Sequence, residues 1–258
     1  MTMHGYGSFA KYYDSLTQNI SYGERAAYFD TIIKQNMDSA SVVADLACGT
    51  GSLSFELAGL GYDVIGVELS EDMLSVAMQK KMEHADLPFT NPLFVCQDLC
   101  ELELYDQVDA AICALDSINH ITDPESVRSV FRKVGEYVRP GGLFLFDVNT
   151  EYKHRSVLGN ETFVYDTDEV YCVWQNTLRE QLLVEIDLDF FVYDEENDCY
   201  YRESESFAER AYSHEFLSSL LEENGFELLQ VYGDDSFQPV GETTQRAIYV
   251  ARKTGKDN

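Results

Sequence analysis

A chain of 258 residues with 45% hydrophobic content can bury a full core, either as one elaborated domain or as two small ones. Its formal net charge of −28, with Lys80-Lys81 the nearest approach to a basic cluster, argues against long nucleic acids and anionic membranes as partners. No run reaches the roughly 18–20 apolar residues of a membrane span, no secretory signal is expected at the N-terminus, and the six scattered cysteines read as buried thiols of a reducing cytoplasm.

In chain order, Glu24 to Met37 reads as an amphipathic helix with Ala27, Tyr28, Ile32 and Ile33 on one side. Val42 to Leu46 is a short apolar run of the kind that forms a buried parallel strand, and it ends in a glycine-containing turn. Ser52 to Leu60 follows as a helix stopped by Gly61, Asp63 to Val67 as a second strand, and Ser70 opens the next helix. Leu93 to Gln97 and Val108 to Ala114 are further strands. Pro124 begins a helix that runs to Tyr137, and Gly142 to Val148 is the fifth strand. Strands alternating with helices predict a parallel sheet covered on both faces.

After Asn149 the pattern changes. Segments 170–178, 182–193 and 199–209 read as extended, with Asp194-Glu195-Glu196-Asn197-Asp198 as a polar turn between the last two. Leu182, Val184, Ile186, Leu188, Phe190 and Val192 alternate at period two, so residues 151–210 are expected to form an antiparallel β insertion. His214 to Asn224 returns as a helix capped by Gly225, followed by strands Phe226 to Tyr232 and Arg246 to Arg252. The expected fold is α/β, with residues 1–150 and 211–258 in one domain and 151–210 inserted after the fifth strand. Cys96 and Cys100 lack a second Cys or His pair at a useful spacing, so no metal site is expected.

The chemistry concentrates where the first strand meets its helix, at Asp45-Leu46-Ala47-Cys48-Gly49-Thr50-Gly51-Ser52. Small residues there let a ligand lie on the backbone with peptide N–H groups facing it. The second strand ends in Glu68, whose carboxylate can accept both hydroxyls of a ribose, and the two features together indicate a nucleoside cofactor. A dinucleotide site needs a third glycine, but its position is Ser54, and the acid Asp45 disfavours a phosphate. An NAD-dependent oxidoreductase is therefore the weaker reading.

Val43-Ala44-Asp45-Leu46-Ala47-Cys48-Gly49-Thr50-Gly51 resembles the first motif of class I S-adenosylmethionine-dependent methyltransferases. Gly66-Val67-Glu68-Leu69-Ser70 with Met73-Leu74 resembles that family's ribose-binding strand end, and Cys96-Gln97-Asp98-Leu99 its adenine-binding one. Ala114-Leu115-Asp116-Ser117-Ile118-Asn119-His120 resembles the fourth strand and the loop beside the transferred methyl. Val138-Arg139-Pro140-Gly141-Gly142 resembles the turn into the fifth strand. The likeness is firm over residues 40–150 and looser over the C-terminal helix and strands. Phe9 to Leu16, followed by Tyr22, is similar to small-molecule members such as the nucleotide-sugar N,N-dimethyltransferases and the glycine N-methyltransferase group.

The resemblance implies a Rossmann-like seven-stranded sheet, N-terminal helices over 1–38 that cap the cofactor, and an insertion placed as a lid over the acceptor pocket. It implies S-adenosyl-L-methionine as cofactor, S-adenosyl-L-homocysteine as product, and N- or O-methylation of a small acceptor by a monomer or homodimer. The cofactor residues it carries over are Asp45, Ala47, Gly49, Gly51, Glu68, Leu69, Met73, Asp98, Leu99 and Leu115. His120 is the candidate base, because imidazole ordinarily titrates near neutrality, and Tyr13 is a candidate contact to the sulfonium or the acceptor. In the insertion, Tyr165, Tyr171, Trp174, Phe190, Tyr193 and Tyr201 either line a pocket or pack the sheet. Its acids Glu185, Asp187, Asp189, Glu203 and Glu205 either favour an amine or form a solvated face. The alternatives are a methyltransferase acting on RNA or protein and a non-catalytic S-adenosylmethionine-binding sensor.

Overall fold

Short apolar strands, separated by helices that each bury a single stripe, have few ways to form a common core. In the computed structural model, which describes residues 7–17, 20–83, 91–167, 170–194 and 196–255, they assemble around a seven-stranded sheet. The first part runs α1 (Gly7–Leu16), α2 (Tyr22–Asn36), β1 (Val42–Leu46), α3 (Ser52–Gly59), β2 (Asp63–Glu68), α4 (Glu71–Glu83) and β3 (Leu93–Cys96). It continues with β4 (Val108–Cys113), α5 (Ser117–His120), α6 (Pro124–Tyr137) and β5 (Val138–Asn149). A short helix α7 (Glu151–Lys153) leads through a π-turn at His154–Leu158 into β6 (Thr162–Asp166), β7 (Tyr171–Leu178), β8 (Leu183–Asp194) and β9 (Cys199–Arg210). Last come α8 (His214–Glu223), β10 (Phe226–Gly233) and β11 (Arg246–Lys253).

The large sheet has the order β10-β11-β5-β4-β1-β2-β3. β11 is antiparallel to both of its neighbours, and the remaining pairs are parallel. On one face Val43, Ile112 and Leu145 pack against Phe29 of α2 and Leu57 of α3; on the other, Leu46, Phe144 and Phe146 pack against Phe131 of α6 and Leu217 of α8. Helices α6 and α8 each start on a local signal. Asp123 caps α6 by accepting from the Ser126 N–H at 2.9 Å with Pro124 just inside, and Ser213 caps α8 through the Phe216 N–H at 3.2 Å. No helix of the described residues is long and apolar enough to cross a membrane.

The insertion forms its own sheet, β6-β7-β8-β9, antiparallel throughout. The expected alternation holds: Val184, Ile186, Leu188 and Phe190 are buried, with Leu158 and Cys172, against Ala10 and Tyr12 of α1 and Met73 of α4. Helix α1 is thus clasped between the second sheet and α4.

Three details differ from the expectations. The buried stripe of α2 is Ala26, Phe29, Ile32 and Ile33, and Ala27 faces solvent. Both sets contain the same isoleucines, so the helix is rotated by a fraction of a turn from the expected face. Strand β6 was not anticipated, being five residues long and preceded by Gly159-Asn160. The helical turns over 151–158 also lack an amphipathic repeat; they start instead on Thr150, whose hydroxyl accepts from the Lys153 N–H at 3.2 Å.

Candidate active site

The turn after β1 is shaped by close packing. Ala47, Gly49 and Gly51 all have positive φ, and a Cβ on Gly51 would stand 2.7 Å from the ring of Phe94 in β3. A Cβ on Gly66 would meet the same ring at 2.6 Å. Phe94 therefore lies flat against two glycines and draws β3 and β2 onto the turn. The Glu68 carboxylate knits the mouth of this cradle: one oxygen accepts from Gly49 N–H at 3.1 Å, and the other from Leu69 and Ser70 N–H at 2.9 and 2.8 Å. Asp98 accepts from Cys100 N–H at 2.8 Å and starts a 3-10 turn that buries Leu99.

Asp45 lies at the base of the cradle, 2% exposed, and accepts the Ser54 hydroxyl at 2.5 Å. Burial pushes its carboxyl up to about 7, against the opposing effect of Ser54. The charged form is thus costly until a cation arrives. On the outer rim Lys80 ties the cradle to α1, donating to Thr50 and Ser52 hydroxyls at 3.0 and 2.7 Å and pairing with Asp14 at 2.6 Å.

The other wall is the β4–α5 turn. Leu115 and Asp116 are consecutive residues in the left-handed region, with φ of 58° and 53°, a conformation that costs non-glycine residues about 1 kcal/mol or more each. The carboxylate of Asp147, fully buried at the end of β5, holds it by accepting the Leu115 and Asp116 N–H groups at 2.9 and 2.7 Å. Arg25 and Arg246 both pair with Asp147, and Arg246 also reaches Asp116 at 2.6 Å. Arg246 is the largest favourable influence that holds the Asp116 carboxyl well below its usual range despite burial. His120, one turn further on, packs its ring on Phe207 of β9 with centroids 5.3 Å apart.

One cavity of about 870 Å³ joins these parts. Asp45, Ala47, Gly49, Glu68, Leu69, Met73, Asp98, Leu99, Leu115, Tyr13 and His120 all line it. Gly51 does not; its glycine is required by Phe94. None of the insertion aromatics is among the lining residues. Phe190 is buried against Tyr12, Trp174 sits between Phe163 and Tyr165, and Tyr171, Tyr193 and Tyr201 face solvent, so these rings pack or solvate the second sheet. The acids Asp187 and Asp189 likewise turn to Ser206 and to Arg202 and Ser204 on β9.

Residues 43–142 match the protein family described as "Methyltransferase domain". Over 251 residues the chain is 31% identical to YqeM of Bacillus subtilis (strain 168), which is named as a methyltransferase, covering 96% of this chain and 97% of that one. An S-adenosylmethionine-dependent methyltransferase from Clostridium acetobutylicum ATCC 824 has the same architecture, with a TM-score of 0.86 and 33% identity, covering 96% of this chain and 98% of that one. The chain belongs to the S-adenosylmethionine-dependent methyltransferases.

A more distant likeness, to the sugar N-methyltransferase KedS8 from Streptoalloteichus sp ATCC 53650, extends the shared fold to 98% of this methyltransferase and 95% of that chain at 18% identity and a TM-score of 0.79. The donor set fits the cofactor: a buried acid for an ammonium, a backbone cradle, and the carboxylate of Glu68 at the mouth. Three residues that hold the methyltransferase's site together were missed in the sequence. Asp147 is a charge inside the apolar run Leu143 to Val148, Arg246 stands at the start of a buried strand, and Glu209 occupies an inward-facing position of β9 opposite Val184. In each case the signal was a charged residue where the periodicity calls for an apolar one.

Proposed function

We propose that this methyltransferase methylates a small-molecule acceptor, an amine in preference to a hydroxyl. The observation that carries the reading is that one cavity of about 870 Å³ takes in both the cofactor motif and His120; that volume suits a nucleoside cofactor and one small acceptor. The net charge of −28 disfavours an RNA acceptor, and the shared fold with a sugar N-methyltransferase supports the small-molecule class.

When bound, the cofactor supplies a methyl group already activated on a sulfonium. The protein's work is then chiefly positioning. Glu68 holds the ribose, Asp98 the adenine amino group, and Asp45 with the Ala47 and Leu115 backbone the methionine end; Leu69, Met73, Leu99 and the Gly49 turn complete the pocket. His120 takes the proton that an amine or hydroxyl acceptor must give up. Tyr13, which shares a hydrogen bond with Tyr22 and whose hydroxyl is pushed well up by burial, stays neutral and presents its oxygen to the cationic centre. Of the N-terminal segment 1–38, residues 1–6, 18 and 19 lie outside the described residues; helices α1 and α2 cap the cofactor, and the β6–β9 sheet acts as a lid that braces α1. The free thiols suit a cytoplasmic protein.

Calorimetric titration with S-adenosylmethionine, S-adenosylhomocysteine and NAD tests the cofactor assignment, with Glu68→Ala expected to abolish micromolar binding of the first two. A panel of amino sugars and matched hydroxyl sugars, read by release of S-adenosylhomocysteine, tests the acceptor. Turnover on neither class, together with methylation of bulk tRNA, would replace the small-molecule reading.

A further inference from the structure

Glu209 is a carboxylate on the wrong face of its sheet. Its register partner Val184 is buried in the apolar cluster, and Glu209 itself is 3% exposed. An acid in that position needs partners that justify its burial. One oxygen accepts from the Asn149 side-chain N–H at 3.0 Å, which orients the carboxylate, and the other lies 3.6 Å from Nε2 of His120. Asp116 approaches the same nitrogen at 4.0 Å. Two carboxylates, from β9 and from the β4–α5 turn, therefore converge on one imidazole nitrogen.

We propose that Glu209 is a positioning residue: it pairs with His120 across the two sheets, fixing the ring's orientation and holding the positive charge that the ring acquires. The pairing deepens the reading of His120 as the base. In the transfer, the C–S bond breaks with its electron pair going to sulfur, the acceptor's lone pair forms the new bond to carbon, and the displaced proton passes to His120. The charged ring is then held between Glu209 and Asp116. The other charged groups around the pair are Lys153 and His154 from the segment after β5 and Arg246 from β11. Lys153 and Arg246 offset the charge of Asp116. His154, whose Nδ1 faces the Leu182 carbonyl, is kept neutral by burial, which pushes its imidazole down to about 4. Burial and then Asp116 raise the Glu209 carboxyl, and His120 is the largest influence in the opposite direction. Asn119, next to His120 in α5, ties that helix to both strands, its side chain accepting the Asn149 N–H at 2.9 Å and donating to the Asn149 and Arg210 carbonyls.

The test uses the full chain saturated with S-adenosylhomocysteine, so it needs no acceptor, and follows the Glu209 carboxyl carbon by NMR through a pH titration. His120→Gln should move that titration upward by about one unit, the usual effect of removing a neighbouring cation. In Glu209→Gln, which keeps the Asn149 hydrogen bond, the His120 ring resonances should change while affinity for S-adenosylhomocysteine stays within about twofold. If Glu209→Gln fails to fold, the His120→Gln titration decides the matter alone. A Glu209 titration unmoved by His120→Gln overturns the pairing. So does selective broadening of the Asp116, His120 and Glu209 signals by micromolar Mn²⁺, because the three groups would then form a metal site. Full turnover of His120→Gln on an identified acceptor would remove the base reading and leave the pairing standing, so the two failures are distinguishable.

Discussion

Asp116 and Asp147, carried by the ends of different strands, share the single guanidinium of Arg246. Neither carboxylate has enough solvent to stand without it, and both shape the turn that carries Leu115. Replacing Arg246 by Met should cost about 3–5 kcal/mol at pH 7, the usual effect of breaking a buried ion pair from one side. The pH dependence carries the sign. Asp116 has a folded pKa below its unfolded one, so its contribution is present above the unfolded value near 3.8 and is lost as pH falls below it. Without Arg246, burial acts on the Asp116 carboxyl with less to oppose it and lifts it above the unfolded value, so the stability deficit of the variant should shrink between pH 7 and pH 5 as the carboxyl takes up a proton. Urea denaturation at the two pH values measures this, and an equal deficit at both would contradict it.

Asp45 behaves oppositely. Its unfolded carboxyl ionises near 3.8 and its folded one near 7, so the residue lowers stability progressively between those values and by a constant amount above them. Asp45→Asn should raise the melting temperature of the ligand-free protein at pH 7.5 by more than at pH 5, while weakening S-adenosylmethionine binding tenfold or more.

The same carboxyl predicts a proton balance on binding. A carboxyl held near 7 is largely protonated at pH 6, and in the proposed role of Asp45 at the cofactor's ammonium it would ionise on binding. Calorimetry in buffers of different ionisation enthalpy should find release of about one proton at pH 6, falling towards zero by pH 8.5. No release at pH 6 would mean that Asp45 does not contact the ammonium.

Gly51→Ala places a methyl 2.7 Å from Phe94 at a φ of 75°, combining a clash with backbone strain. A loss of about 2–4 kcal/mol is expected. Phe94→Leu in the same chain should recover the clash component but not the strain, so partial rescue of the melting temperature is the expected result.

Lys80→Met removes one link between α1 and the cradle and leaves another, the Thr50 hydroxyl donating to Asp14 at 2.8 Å. Asp14 is 41% exposed, so the loss of stability should stay within about 1 kcal/mol. Stopped-flow dissociation of S-adenosylhomocysteine should nonetheless become faster, by at most about fivefold, because the Thr50 bond to Asp14 still holds α1 on that side.

The alternating strands and helices were readable because each strand of the large sheet is a nearly continuous apolar run and each helix has a clear start, as at Pro124 and Ser213. The form of the glycine turn after β1 was equally readable, since its residues are contiguous. Position in the cavity could not be read for Gly51, because its neighbour Phe94 comes from β3, two strands further along the chain. Glu209 escaped notice for a related reason. An acid in β9 resembles its solvated neighbours until the pairing with Val184 reveals which face it is on. The short β6 and α7 owe their form to tertiary packing and a single capping hydroxyl, which periodicity does not register.

The amide of Asn119 bonds to the backbone of Asn149 and Arg210 at once, and so spans α5, the end of β5 and the end of β9. Residues 151–210 are therefore not a cassette. A graft that exchanged them for the equivalent piece of a relative, in the hope of transplanting its acceptor preference, would cut through the seam and leave Asn119 bridging the native carbonyl of Asn149 and a foreign one at 210. The transferable unit is discontinuous: the inserted sheet, the α5 turn and the end of β5 would have to travel together.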